Sequence, residues 1–131
     1  MKFAGSGLVI SKALVVWLGE APCSLMTRLE SGKDRNPEEM LAAAHAGCFT
    51  AALAFSLEAA GYAPTELSTE AVVTQETEGA GFRISHSALN LRAKVPNLPR
   101  RTFETMAWHA VNNCAVSKAL RTEVRLDAGL V

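Results

Sequence analysis

The sequence has no excess of charge of either sign, because 13 Lys and Arg residues balance 13 Asp and Glu residues among 131 residues. Proteins that bind nucleic acid or anionic membranes normally carry a basic surface, so neither partner is expected. Cysteine is also scarce: the three cysteines form no CxxC pair and no zinc-ribbon spacing, which argues against a secreted, disulfide-stabilised domain. The N-terminal segment lacks the uninterrupted apolar stretch of a signal peptide. Together these features predict a cytoplasmic protein.

Apolar residues, by contrast, make up 49% of the chain. Residues 40–57 contain no Asp, Glu, Lys or Arg, and this run is close to the minimum length of a membrane span. Because it is rich in Ala and interrupted by His45, Thr50 and Ser56, we interpret it as the central helix of a globular domain, buried on nearly all sides.

The ends of this helix are marked by local signals. Asn36 is a favoured N-cap, Pro37 suits the first helical position, and Glu39 follows Asn36 at capping-box spacing. Gly61 is a natural residue to end the helix.

Alternation and turn residues predict strands elsewhere, at 8–18, 25–30, 65–78, 82–95 and 122–130. Residues 79–81 form a hairpin turn, and a change of apolar parity in the following strand predicts a β-bulge between residues 85 and 88. An amphipathic helix is predicted over 103–114, with a further turn or two over 115–121. The order of elements indicates one α+β domain over residues 1–131.

Two cysteines are candidates for chemistry. Cys48 lies in the middle of the central helix three residues after His45, and Cys114 lies at the end of an apolar stripe five residues after His109. A cysteine in an apolar helix is commonly a small buried residue without chemistry. The two Cys–His pairs could also supply the four ligands of a structural zinc site, although they lie within helices and lack the turn geometry of zinc knuckles.

Three segments carry a resemblance to a known family: NPEEMLAAAHAGCF (36–49), GYAPTELSTEA (61–71) and CAVSKALRTEVRLD (114–127). They resemble the OsmC/Ohr family of thiol-dependent hydroperoxide peroxidases. His45 and the Val-Ser-Lys sequence at 116–118 resemble the OsmC branch more than the Ohr branch. The resemblance implies an α+β OsmC-like fold, in which an antiparallel sheet wraps around the long buried helix of an intertwined homodimer. Relative to that family, the N-terminal strand is expected to be shortened, and Ala115 stands where Pro is common.

The resemblance also implies a site. By position, Cys48 corresponds to the peroxidatic cysteine, Cys114 to the resolving cysteine, Arg28 to the active-site arginine and Glu38 to the glutamate that holds it. Cys48 would reduce an organic hydroperoxide and become a sulfenic acid, which Cys114 would convert into a disulfide. The implied reductant is an external dithiol such as a lipoylated protein, with no metal, haem or flavin, and the implied role is defence against oxidative or osmotic stress.

Helix geometry adds an expectation about assembly. Glu38 and Cys48 are ten residues apart, which on one helix corresponds to about 15 Å of rise. One chain is therefore not expected to bring them together, whereas two helices packed antiparallel about an axis near Ala43 would place Glu38 of one chain beside Cys48 of the other. We accordingly expect a homodimer with composite sites. The alternative is a non-enzymatic dimeric binding module on the same fold.

Overall fold

The computed structural model describes residues 3–4, 8–18, 25–29 and 37–131, and the side chains of residues 10–17 and 37–131. The elements follow in the order β1 (Phe3–Ala4), β2 (Leu8–Leu18), β3 (Leu25–Leu29), α1 (Pro37–Ala59), β4 (Glu66–Glu78), β5 (Gly81–Lys94), α2 (Arg100–Asn113), α3 (Ala115–Ala119) and β6 (Glu123–Leu130). Every predicted helix and strand is present, and the bounds agree within two residues except at the start of α2, which begins three residues before the predicted residue 103.

The strands form one sheet in the order β1-β2-β4-β5-β6, and β3 also pairs with β2. All pairs are antiparallel except the last, in which β6 runs parallel to β5. The prediction of an antiparallel sheet is therefore wrong for β6. The physical reason is the connection: α2 and α3 carry the chain back along the sheet before β6 begins, and a crossover of this kind joins parallel strands.

The β4–β5 hairpin contains the predicted bulge. Thr74 lies opposite His86, whereas the next residue, Gln75, lies opposite Ile84, so Ser85 is the extra residue. The insertion changes which face of the sheet the side chains occupy, and this explains the switch of apolar parity in the sequence. The tight turn before β5 requires Gly79, whose φ of 59° lies in the left-handed region.

Helix α1 begins at Pro37, as predicted, whereas the proposed N-cap Asn36 lies outside the described residues. At its other end, the Tyr62 N–H donates to the Leu57 carbonyl at 2.9 Å and the Gly61 N–H donates to the Glu58 carbonyl at 3.1 Å. These two bonds, with Gly61 at φ 91°, form a Schellman motif. The helix therefore stops where the sequence indicates, because glycine tolerates this conformation.

The core lies between the sheet and the helices, with α1 packed on β2 and β4 and α2 packed beside α1. The completely buried large apolar side chains come from the sheet and from α1: Val15, Phe49, Leu53, Leu57, Leu67, Val73, Leu89 and Leu91. The alternating burial of β4 and the periodic burial of α2 match the predicted apolar faces.

The opposite face of α1 is not covered by its own chain. Phe55 is 77% exposed and Met40 is 62% exposed, and Ala44 is exposed between them. The prediction that α1 is buried on nearly all sides is thus wrong for the single chain, although the helix is apolar all round. By length and composition α1 could cross a membrane, but the core helices of globular proteins also meet these two criteria, and 44% of its most apolar window is buried in the protein.

Candidate active site

Cys48 and Cys114 meet where α1 faces the junction of α2 and α3. Cys48 is partly buried on α1, whereas Cys114 is only 1% exposed. At Cys114 the backbone is extended, with φ −71° and ψ 124°, and this single residue separates the two helices. The Lys118 N–H donates to the Cys114 carbonyl at 3.0 Å, so α3 begins its first turn directly after the cysteine. The two cysteines are not joined by a disulfide in this structure.

The surroundings of the two thiols shift their pKa values in opposite directions. Burial alone would raise the pKa of Cys48, but hydrogen bonds from the Cys114 thiol and from the backbone N–H groups of Val116 and Ala115 lower it below its ordinary value. Burial raises the pKa of Cys114, and its hydrogen bond to Cys48 raises it further, against smaller opposing contributions from Ser117. The arrangement therefore favours a thiolate at Cys48 and a neutral thiol at Cys114.

His45 is completely buried one helical turn before Cys48. Its Nδ1 lies 2.7 Å from Ser87 Oγ on β5, and its Nε2 lies 2.7 Å from Ser117 Oγ on α3. Burial lowers the pKa of His45, so the ring is neutral near pH 7. The sequence assigned His45 no catalytic role, only a place near Cys48 and in the zinc alternative, and it identified neither serine as a partner of the ring.

A signal for this pairing was nevertheless present in the sequence. His45 occupies the same helix face as the core residues Ala42 and Phe49, three positions before and four after it. A polar ring directed into a core needs hydrogen-bond partners on the facing elements. Serine and threonine side chains on the strands and on the last helix are the residues that could supply such partners.

Glu38 lies apart from the thiols. It lines a cavity of about 620 Å³ together with Gln75, Ile84, Leu120 and Thr122, and neither cysteine lines this cavity. Its Oε2 atom is buried and has no hydrogen-bond partner among the described residues. Because α1 is continuous over Pro37–Ala59, the ten residues from Glu38 to Cys48 correspond to about 15 Å of rise, so one chain does not bring the two side chains together.

The remaining predicted residues are placed only in part. Arg28 lies on β3 opposite Leu14 of β2, but its side chain lies outside the described residues. Cys23, the third cysteine, to which the sequence assigns no role, also lies outside them. The zinc alternative finds no support in the described part of the chain, where no group of three or more His, Cys, Asp or Glu side chains is placed to hold a metal ion. His109, one of its four ligands, contacts Asn113 at 2.7 Å instead.

The fold and the site thus define a small α+β protein in which a long helix presents one cysteine to a second, buried cysteine. Residues 30–128 match the family described as OsmC-like protein. The chain is 39% identical to "Peroxiredoxin OsmC" of Escherichia coli (strain K12) over 123 residues, which cover 94% of this chain and 85% of that protein. The chain belongs to the OsmC-like family, and its resemblance to the OsmC branch is confirmed.

Solved structures share the fold. An OsmC-like protein from Mycoplasma pneumoniae superposes with a TM-score of 0.68 at 14% identity, covering 90% of this chain and 95% of that one. An organic hydroperoxide resistance protein OsmC from Legionella pneumophila gives a TM-score of 0.58 at 25% identity, covering 76% and 71% of the two chains. The OsmC-like fold inferred from the sequence is confirmed.

Proposed function

We propose that this protein is a cysteine-based peroxidase that reduces organic hydroperoxides. The observation that carries the proposal is the contact between Cys48 and Cys114, with a lowered pKa at Cys48 and a raised pKa at Cys114. The name of the E. coli relative, a peroxiredoxin, supports the same reaction class. We further propose that it acts in the cytoplasm in defence against oxidative or osmotic stress.

In the first step the Cys48 thiolate attacks one oxygen of the hydroperoxide. The O–O bond breaks, a proton reaches the departing oxygen to give an alcohol, and Cys48 becomes a sulfenic acid. In the second step the Cys114 sulfur attacks Cys48, the S–O bond breaks, and a disulfide and water form. An external dithiol, such as a lipoylated protein, then reduces the disulfide by exchange.

Arg28 and Glu38 are proposed to complete the site. A guanidinium is permanently cationic and can donate to both a thiolate and a peroxide oxygen, and a carboxylate can hold it in place. The buried, unpartnered Oε2 of Glu38 is an acceptor suited to such a cation. The apolar residues near Cys48 in the sequence, among them Ala51 and Ala52, favour an organic peroxide over hydrogen peroxide.

The catalytic proposal is tested by counting thiols after one equivalent of cumene hydroperoxide. We expect the wild-type protein to lose two thiols, Cys48→Ser to lose none, and Cys114→Ser to stop at a sulfenic acid that dimedone traps. Cys23→Ser serves as the matched control and should behave as the wild type. A protein whose thiols survive peroxide would be the non-enzymatic binding module, and multiple turnovers by Cys48→Ser would exclude the mechanism.

We also propose a homodimer in which α1 of one chain covers α1 of the other. The uncovered face of α1 carries the exposed Met40, Ala44 and Phe55, and a Cβ atom at Gly47 would meet no atom within 4 Å. Large exposed apolar side chains on one helix face are typical of an interface. An antiparallel pairing of two such helices would bring Glu38 of one chain to Cys48 of its partner, which the single chain does not do.

The composite site is tested by unfolding and refolding two impaired variants together. When Glu38→Gln is mixed with Cys48→Ser, about half of the dimers are mixed and each has one intact composite site, so roughly a quarter of the wild-type activity should return. Cys48→Ser mixed with Cys114→Ser is the matched control, because these thiols contact each other within one chain and cannot complement across chains. Equal activities of the two mixtures would show that Glu38 and Cys48 serve the same chain.

A further inference from the structure

A continuous chain of short polar contacts connects the core of the protein to the buried cysteine. It runs from Ser87 on β5 through both nitrogens of His45 to Ser117 on α3, with two contacts of 2.7 Å. Ser117 follows Cys114 by three residues on a helical turn that begins at the cysteine, so the two side chains lie on the same side of that turn. The Ser117 hydroxyl is therefore within reach of the Cys114 sulfur and, as a donor to it, lowers the pKa of that thiol.

Two proton arrangements give every hydrogen bond from Ser87 to Cys114 one donor and one acceptor. A neutral imidazole has one N–H donor and one acceptor nitrogen, and a serine hydroxyl can both donate and accept. When Nδ1 carries the proton, His45 donates to Ser87 Oγ and accepts from the Ser117 hydroxyl, which in turn can accept the Cys114 S–H once Cys48 is a sulfenic acid and no longer a thiolate that takes this hydrogen bond. When Cys114 is a thiolate, the Ser117 hydroxyl donates to the sulfur and His45 Nε2 donates to Ser117 Oγ. The two arrangements differ only in the positions of two protons.

We propose that His45, acting through Ser117, is the positioning residue of the disulfide-forming step and accepts the proton that the Cys114 thiol must lose. This inference rests on the proposed peroxidase function. It adds His45 and Ser117 to a site that so far consists of the two cysteines, Arg28 and Glu38.

The step balances as follows. The Cys114 thiol proton passes to Ser117 Oγ while the Ser117 proton passes to His45 Nε2, and the freed sulfur attacks the Cys48 sulfenic acid. The S–S bond forms, the S–O bond breaks, and hydroxide leaves. Cys114 sulfur is oxidised and Cys48 sulfur is reduced from the sulfenic to the disulfide level. The imidazolium returns its proton along the same hydrogen bonds, and the hydroxide departs as water.

The residues around the hydrogen bonds from Ser87 to Cys114 support proton transfer to His45 only during the reaction. Burial raises the pKa of Cys114 and lowers that of His45. Both groups are therefore neutral in the resting protein, and the thiolate–imidazolium pair forms only transiently during the reaction. The histidines of the neighbouring elements are engaged elsewhere: His86 contacts Ser85 at 3.1 Å, and His109 contacts Asn113. Lys118, the cationic residue of α3, is exposed.

The test separates the two chemical steps in a single turnover. Reduced protein is mixed with one equivalent of cumene hydroperoxide, quenched at intervals by an alkylating agent, and analysed for peroxide consumed and disulfide formed. We expect Ser117→Ala to consume peroxide at the wild-type rate but to form the disulfide about tenfold to a hundredfold more slowly near pH 7, at the low end of what a positioned proton acceptor contributes. His45→Gln should show the same split between the steps.

Two further measurements distinguish proton transfer from a structural effect. The deficit of Ser117→Ala should shrink as the pH is raised toward about 9, because bulk base then removes the thiol proton, and Ser117→Thr should restore the rate because it keeps the hydroxyl. Thr69→Val is the matched control: it removes the buried hydroxyl that Thr50 on α1 contacts at 2.8 Å, away from the cysteines, and should leave both steps unchanged.

Disulfide formation at the wild-type rate in Ser117→Ala near pH 7, or a deficit that persists unchanged at high pH, would overturn the inference. A wild-type protein that consumes no peroxide would instead overturn the proposed function on which the inference depends.

Discussion

Replacing Ala115 by Pro would remove one donor from Cys48 while leaving the two cysteines in place. The Ala115 N–H is one of two backbone groups that hydrogen-bond the Cys48 sulfur, and proline has no N–H. Proline fits the position sterically, since Ala115 is the first residue of α3 and Cys114 has the extended φ and ψ that a residue before proline requires. The substitution therefore isolates the contribution of a single hydrogen bond.

The expected effect follows from the charge of the acceptor. A hydrogen bond to a charged group contributes about 1.5 kcal/mol or more, which corresponds to a factor of about ten in an equilibrium constant. Ala115→Pro should raise the pKa of Cys48 and slow its alkylation near pH 7 by about tenfold, with a smaller difference at high pH, where both proteins carry the thiolate.

The measurement is the rate of iodoacetamide alkylation at Cys48 as a function of pH, resolved by peptide mass spectrometry. Ala115→Ser keeps the N–H and serves as the control. If Ala115→Pro, with unchanged far-UV circular dichroism, is alkylated at the wild-type rate at every pH, the backbone of α3 does not stabilise the thiolate.

Three further predictions concern the same site and its assembly. In the wild-type protein, raising the pH should make Cys48 reactive toward alkylation first and Cys114 only at higher pH, because their pKa values shift in opposite directions; simultaneous labelling would contradict this. Arg28→Ala should slow the reaction with peroxide by about tenfold to a thousandfold, with little rescue by Lys, as followed by peroxide consumption. Phe55→Glu should weaken dimerisation by about a hundredfold or more in sedimentation experiments, since burying each Phe contributes roughly 1.5–3 kcal/mol, whereas the control Glu58→Gln should not.

Local features of the fold could be predicted because each has a local cause. Pro37 and Gly61 bound the long helix through backbone preferences of their own, and the parity switch around Ser85 reports the bulge directly. The direction of β6 could not be predicted in this way. An alternating strand is compatible with either direction, and the choice depends on how α2 and α3 pack between the strands.

The site could be predicted only in part. The positions of Cys48 and Cys114 came from a long motif, and the structure places the two thiols in contact. A further helical turn after residue 114 was predicted, but the sequence did not show that the first backbone N–H groups of α3 would lie beside the Cys48 sulfur. The partners of His45 come from elements 42 and 72 residues away, and such tertiary contacts leave no periodic signal.

Cys114 lies far from Cys48 in the sequence, and this separation means that the proposed disulfide would affect the stability of the fold. A bond between these sulfurs closes a loop of about 66 residues, which by chain-entropy arguments stabilises the folded state by about 4 kcal/mol. By thermodynamic linkage the fold stabilises the bond by the same amount. In each turnover the disulfide would link α1 to the α2–α3 junction, and its reduction would break that link. The oxidised protein should therefore have a higher melting temperature than the reduced protein, and thermal unfolding would distinguish the two forms.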